Sequence, residues 1–375
     1  MDTSETQGAF VKSTVDSRPH SVISNWFALS AVGRALASIS NLLSTTHCRL
    51  PTVFLMLCFV QAASAAERNG RWAILLAGVS GDPDLQKVYL NEIADIHAAL
   101  ESSFGFPRDQ IFVLFDDPSK NPGLVQYKST RENLQAVCFN LAGRVKKEDL
   151  VFVFLEGHGD YDGKVYKLNL VGPDPTGEDL SALLYSIPAQ HFVVVNATNC
   201  SGGSIPALSQ KGKIIITATK SGMEKNQTHF GQYFAEAFKN NAADLDKNGR
   251  VSILEAFSYA RQKVDDYYES EGILQTEHAV LDDNGDAQGQ NKPAPENGEG
   301  FLARTTFLDA GAPPIPSAGT TLTPERQKLA SEAQELEKQI EALKYAKGQM
   351  KEADYEKELE DLLLRLAQIN AKLRK

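Results

Sequence analysis

Leu150-Val151-Phe152-Val153-Phe154-Leu155-Glu156-Gly157-His158-Gly159 opens with six apolar residues in a row, the middle four β-branched or aromatic. A strand carries such a run when both of its faces are covered, as in the middle of a parallel sheet. A second run of the same type, His191-Phe192-Val193-Val194-Val195, leads into Asn196-Ala197-Thr198-Asn199-Cys200-Ser201-Gly202-Gly203-Ser204. In open α/β sheets, ligands and chemistry gather beyond the carboxyl ends of the strands. The two runs therefore bring one imidazole, His158, and one thiol, Cys200, to the same rim.

Outward from these runs the chain repeats strand and helix. Strands are expected over 71–79, 111–115, 213–219 and 278–281, with helices over 85–103, 130–144 and 178–187. Ser129-Thr130-Arg131-Glu132 has the form of a capping box opening the second helix. Residues 164–170 suit a short hairpin arm after His158. Alternation of this kind predicts an α/β fold, a parallel sheet sandwiched by helices.

A Cys-His pair at a sheet edge is a nucleophile with its proton shuttle. Gly157 and Gly159 free the backbone to turn tightly after the strand. The Gly159 and Cys200 amides are candidates for an oxyanion hole. In these two loops the chain resembles the legumain–caspase superfamily of cysteine peptidases, which carry His-Gly after one strand and Cys followed by small residues after the next. The family order, with His upstream of Cys by roughly 50 residues, agrees. The resemblance covers 71–286 and implies a caspase/legumain-like sandwich, with Cys200 as nucleophile, His158 as acid–base and Gly159 as oxyanion donor. It also implies endopeptidase cleavage of a peptide or protein substrate. Superfamily members often place an acidic or other polar residue two before the cysteine; Thr198 stands there and cannot pair a basic side chain. Glu156 stands where a small residue is usual. Asp160, Asp162, Lys220 and His229 are further residues that could line the cleft.

The most specific motif is Asp244-Leu245-Asp246-Lys247-Asn248-Gly249-Arg250-Val251-Ser252-Ile253-Leu254-Glu255, which fits the twelve-residue EF-hand loop at each diagnostic position. Asp244, Asp246 and Asn248 offer side-chain oxygens, Arg250 its carbonyl, Ser252 its hydroxyl and Glu255 a carboxylate. Helical sequence flanks the loop over 230–239 and 253–268. A solitary loop of this type reads as a structural Ca2+ clip rather than a sensor. No cofactor is expected for the acyl-transfer chemistry itself.

The 375 residues suit one sizeable core with appendages. A net charge of −10 argues against nucleic acid, which requires a basic footprint. Arg49, the apolar run 50–60 and Ala63-Ser64-Ala65 form a secretory signal peptide with cleavage after Ala65, too short to span a bilayer. The segment 1–65 is thus an extension plus signal, and the mature chain is periplasmic or extracellular, with no stable membrane insertion. Its two remaining cysteines, Cys138 and Cys200, make no disulfide framework.

Residues 66–286 form the catalytic-type domain. Residues 287–322 are rich in Gly, Pro, Asn and Ala and read as a linker, broken by a candidate strand at 300–308. Over 323–375, Leu329, Leu336, Leu343 and Met350 recur every seven residues. A new phase begins after Gly348, which predicts a helical hairpin or coiled coil. Its apolar stripe needs cover from its own other arm, a second copy in a homodimer, or another protein. Three functions fit the whole: an exported cysteine endopeptidase, a catalytically silent scaffold on the same fold, and a calcium-dependent interaction module.

Overall fold

The computed structural model describes residues 70–239, 241–309 and 324–373. The apolar runs become strands β1 (Arg71–Ala77), β2 (Ile111–Phe115), β3 (Tyr127–Lys128), β4 (Leu150–Glu156), β5 (Gly159–Tyr161), β6 (Tyr166–Leu168), β7 (His191–Asn196), β8 (Lys213–Thr217) and β9 (Val280–Asp282). Seven of them form one sheet in the order β3-β2-β1-β4-β7-β8-β9, while β5 and β6 pair as a separate two-stranded arm. Every pairing in the large sheet is parallel except that of β9, which runs antiparallel to β8. The two-residue β3 has no hydrophobic pattern, since both its residues are exposed, and it escaped the sequence reading.

The helices are α1 (Pro83–Ala98), α2 (Arg131–Ala142), α3 (Gly177–Leu184), α4 (Ile205–Leu208), α5 (Phe230–Ala237), α6 (Ile253–Glu271), α7 (Phe301–Thr305), α8 (Pro324–Ala346) and α9 (Glu352–Leu373). Successive β1 residues feed two separate cores. Ala73, Leu75 and Ala77 join one with Ile93, Phe234 and Phe257 from α1, α5 and α6. Trp72, Ile74 and Leu76 join the other with Leu134 and Cys138 of α2, Leu180 of α3 and Leu208 of α4. The parallel sheet is thus covered on both sides, which is why β1 and β4 are apolar without alternation.

Several boundaries differ from expectation for identifiable reasons. Ser129 spends its amide on the Phe115 carbonyl, continuing the edge of the sheet. Thr130 consequently caps α2, its hydroxyl accepting from the Asn133 amide at 3.2 Å. The stretch 300–308 is not a strand: Asp283 accepts the Gly300 and Ala303 amides and so starts α7. Only Phe307 makes an isolated antiparallel bridge, to Ser252. Within the expected linker, the described part up to Asp309 is packed, with Ala303 and Leu308 fully buried.

The C-terminal segment is a hairpin. Helices α8 and α9 meet through a turn at Lys347–Gln349 and share a core of Ala333, Leu336, Ile340, Leu343, Leu362 and Ile369. Tyr345 donates its hydroxyl to the Glu299 carbonyl at 2.6 Å, tying α8 to the segment before α7. The expected signal peptide and cleavage position lie outside the described residues; among those described, no helix is long and apolar enough to cross a membrane.

Candidate functional site: the Cys200 corner

Strands β4 and β7 are direct neighbours, with Leu155 opposite Asn196. Their carboxyl ends therefore emerge side by side, and the loops carrying His158 and Cys200 leave the same rim. Gly157 makes the first turn with φ +115°, a conformation open to glycine and strained for any other residue. The His158 Nε2 lies 3.2 Å from the Ser80 carbonyl. A carbonyl only accepts, so Nε2 holds the proton of the neutral ring and Nδ1 is its basic nitrogen. Tyr89 packs edge-on against the imidazole, ring centres 6.0 Å apart.

Cys200 is a non-glycine residue in the left-handed region, with φ +59°. It stands between β7 and the helical turn Ser201–Ser204 that runs into α4. Holding a β-carbon there costs about 1–2 kcal/mol, and such strain concentrates at functional corners. A sharp strand-to-helix turn of this form is also the device that presents hydrolase nucleophiles. Its amide donates to the Glu224 carbonyl at 2.8 Å. The side chain is only 1% exposed. Burial pushes the thiol's pKa up, Lys225 works against this, and Asp160 adds to it.

Asn199 joins the two loops. Its Oδ1 accepts the Gly159 amide at 2.8 Å, while its Nδ2 donates to the Lys225 carbonyl at 2.9 Å and lies 3.7 Å from the Cys200 sulfur. Both amides expected to form an oxyanion hole are therefore engaged, Gly159 by Asn199 and Cys200 by Glu224. Sequence reasoning quoted Asn199 but gave it no role; its one available signal was adjacency to the cysteine. A β-carbon on Gly159 would stand 2.5 Å from the Asn199 carbonyl and 2.6 Å from the Tyr166 ring, so only glycine fits.

The β5–β6 arm lies over this corner. The Tyr166 hydroxyl is 2.7 Å from Thr198 Oγ1, and the Tyr161 ring packs against the bare α-carbons of Gly203 and Gly222. Lys225 Nζ donates to the Tyr161 carbonyl at 3.1 Å. Thr198, two before the cysteine, is fully buried and bonded to Asn196 and Tyr166, so it is part of the floor rather than a free pocket wall. Beside the corner a cavity of about 170 Å³ is lined by Tyr161, Lys164, Gly203, Lys220, Ser221 and Gly222, among others.

Glu156 points to neither the thiol nor the cavity. Its Oε1 accepts the Gly157 amide at 2.9 Å, and its Oε2 would touch any β-carbon on Gly231. Glu92 of α1 is buried beside it. Burial raises both carboxyl pKa values, and the pair repel one another when both are charged. Of the other candidates, Lys220 pairs with Glu224, which also holds His278 Nδ1 at 2.6 Å. His229 packs at a tilt against Tyr267, ring centres 4.2 Å apart. Asp162 folds back onto the Lys164 and Val165 amides.

The 244–255 loop gathers its acidic side chains. Carboxylate oxygens of Asp244, Asp246 and Glu255 lie within 4.8 Å of one another. Asp244 accepts the Asn248 and Gly249 amides, Asn248 Oδ1 accepts the Arg250 amide, and Glu255 accepts the amides of Leu245, Asp246 and Ser252. The Ser252 hydroxyl and Glu255 cap α6 reciprocally. The Arg250 guanidinium is paired with Asp309. Burial, then the charges of Glu255 and Asp244, raise the Asp246 pKa. An all-oxygen donor set of this kind could hold a hard divalent cation.

The molecule is thus an α/β protein with a mostly parallel seven-stranded sheet and a thiol-bearing corner at its rim. No protein-family profile matches the chain, and no curated protein matches it. Among solved structures, it is similar to a structural-genomics protein of Geobacter sulfurreducens, with 13% identity, 59% of this chain and 97% of that one covered, and a TM-score of 0.40. It is also similar to Raptor of Chaetomium thermophilum, with 9% identity, 81% of this chain and 35% of that one covered, and a TM-score of 0.34.

Proposed function

We propose that the protein is an exported cysteine endopeptidase with a caspase/legumain-like core, held in a closed resting state. The observation that carries this reading is the strained Cys200 corner, joined through Asn199 to the His158 turn. A buried cysteine serving only as packing gains nothing from a left-handed backbone.

In this reading His158 takes the Cys200 proton, and the thiolate sulfur attacks the scissile carbonyl carbon. The tetrahedral oxyanion is held by the Gly159 and Cys200 amides once the Asn199 side chain and Glu224 carbonyl have released them. The leaving amine departs with the proton from His158. Water then adds to the thioester with His158 as base, giving a carboxylate and the free thiol. Opening requires the β5–β6 arm to lift, because the thiol is covered and its pKa is raised by burial. A Ca2+ ion at the EF-hand loop serves structure, linking α5 to α6, and supplies no chemistry.

The same closure favours a second reading, a silent scaffold in which Asn199 and Glu224 permanently occupy the donor amides. Peptidyl fluoromethyl ketones with varied terminal residues separate the two. A single adduct mapped to Cys200 and lost in His158→Ala supports the peptidase. Absence of any adduct even in the mild urea that lets iodoacetamide alkylate Cys200 selects the scaffold.

A further inference from the structure

The turn after β9 carries a second acidic constellation. Asp282-Asp283-Asn284-Gly285-Asp286-Ala287-Gln288 places oxygen-bearing side chains at every second position, as the 244–248 segment does. The backbone doubles back so that Gln290 pairs with Leu281 in both directions. Asp282 Oδ1 accepts the Gly285 amide, Asn284 Oδ1 the Asp286 amide, and Asp286 Oδ1 the Gln288 amide. From a distance in sequence, Glu299 reaches in and accepts the Asp283 amide through Oε2. Carboxylate oxygens of Asp282, Asp286 and Glu299 lie within 4.8 Å of one another.

The buried oxygens that remain point to a ligand. Asp282 is 0% and Glu299 1% exposed. Yet Asp282 Oδ2 and Glu299 Oε1 have no hydrogen-bond partner. Among the described residues, no ion pair reaches Asp282, Asp286 or Glu299. The EF-hand loop differs on this point, since both carboxylate oxygens of Asp244, Asp246 and Glu255 accept hydrogen bonds there. Asp283 is not available as a ligand, because both its oxygens cap α7. A buried carboxylate oxygen without a donor is unfavourable until a proton or a cation supplies the missing charge.

We propose that Asp282, Asp286 and Glu299 form a second divalent-cation site, all-oxygen and suited to Ca2+. Asn284, nearby carbonyls and water complete the six to eight oxygens that such an ion takes. With no nitrogen or sulfur donor in the set, Zn2+ is disfavoured. The ion fastens the β9 turn to the segment entering α7. That segment receives Tyr345 of the hairpin on the Glu299 carbonyl, so the site also secures the docking of α8.

The test is Ca2+ titration of the full chain by calorimetry, after chelator treatment and with calcium chloride alone as ligand. Native mass spectrometry counts the bound ions. Glu255→Gln disables the EF-hand loop, and the exposed Asp246→Asn replaces it if that variant does not fold. The EF-hand-disabled chain is expected to bind one Ca2+, and adding Asp286→Asn, again at an exposed position, is expected to weaken this uptake tenfold or more. Glu299→Gln should do the same. Loss of all uptake on disabling the EF-hand loop overturns the proposal, and so does uptake indifferent to Asp286→Asn. Either result would mean that a proton shared among the buried carboxyls fills the place of the ion.

Discussion

Asn199 Oδ1 accepts the Gly159 amide at 2.8 Å, which ties the turn bearing His158 to the turn bearing Cys200. Parallel pairing of β4 with β7 brings the loops to one rim, but strands fix only where loops begin. The Asn199 side chain sets how they meet, and its other end holds the Lys225 carbonyl.

Asn199→Ala should loosen this junction. The buried Gly159 amide loses its acceptor, at a cost of about 1–3 kcal/mol, whereas the exposed Lys225 carbonyl turns to water. The expected result is a lowered urea midpoint with faster reaction of Cys200 with a disulfide reagent. An unchanged thiol rate would mean that Asn199 does not govern access to the corner.

The sheet was legible because β1, β2, β4, β7 and β8 are nearly pure apolar runs, and burial on both faces requires that pattern. The hairpin was legible for the same reason, its stripe breaking phase at the turn near Gly348. What escaped depends on distant partners. Asp283 starts α7 through side-chain bonds to Gly300 and Ala303, which no local pattern announces. The Cys200 and His158 loops could be read as chemistry-bearing from residue types alone. Burial of the thiol under the β5–β6 arm could not, since it arises from tertiary contacts of Tyr161 and Tyr166 with loops remote in sequence.

Gly222→Ala tests the arm as a cover. The new methyl would stand 2.2 Å from the Tyr161 ring, so the ring must leave Gly203 and Gly222. Overpacking of this kind costs about 1–3 kcal/mol. Limited proteolysis is expected to cut within 159–168 faster than in the parent chain, with a matching rise in Cys200 alkylation. Equal cutting rates would show that the arm does not rest on this ring.

Stability should fall as pH rises past the ordinary carboxylate range. Burial lifts the Glu277 pKa from 4.5 to about 7; burial, with the Asp95 charge adding to it, lifts Glu92 to about 7, and burial, then the Glu92 charge, lifts Glu156 well above the ordinary carboxylate range. Above about pH 4.5 the unfolded chain releases protons that the folded chain keeps, so the folded state binds more protons and loses stability with increasing pH. The contribution is complete below pH 4.5 and is lost as pH climbs through about 7, with a slope up to about 1.4 kcal/mol per pH unit per group. Glu92→Gln should flatten the decline in melting temperature between pH 5 and 8. A decline of the same steepness in that variant would assign the effect elsewhere.

Calcium should raise the melting temperature through the 244–255 loop. An ion bound only by the folded state adds about 2.7 kcal/mol at a hundredfold excess over its dissociation constant. Glu255→Gln is expected to remove the part of the shift owed to this loop and to lower the baseline, because Glu255 also accepts the Leu245, Asp246 and Ser252 amides. The two effects separate by titration: the baseline loss persists in chelator, whereas the lost increment appears only with calcium. A calcium increment as large in the variant as in the parent chain would rule the loop out as a site.

The hairpin should leave the chain monomeric. Its stripe is consumed internally, with Leu336, Ile340 and Leu343 of α8 against Leu362 and Ile369 of α9, and Glu341 of α8 reaches Arg304 of α7 at 3.1 Å. Among the described residues of α9, Leu363 and Leu364 are exposed, a small apolar remnant beside the charged outer face. An isolated pair of this size is ordinary for a monomer surface. Light scattering across a range of concentrations is expected to return the mass of one chain. A dimer mass abolished by Leu363→Lys and Leu364→Lys together would instead make that remnant the contact between two copies.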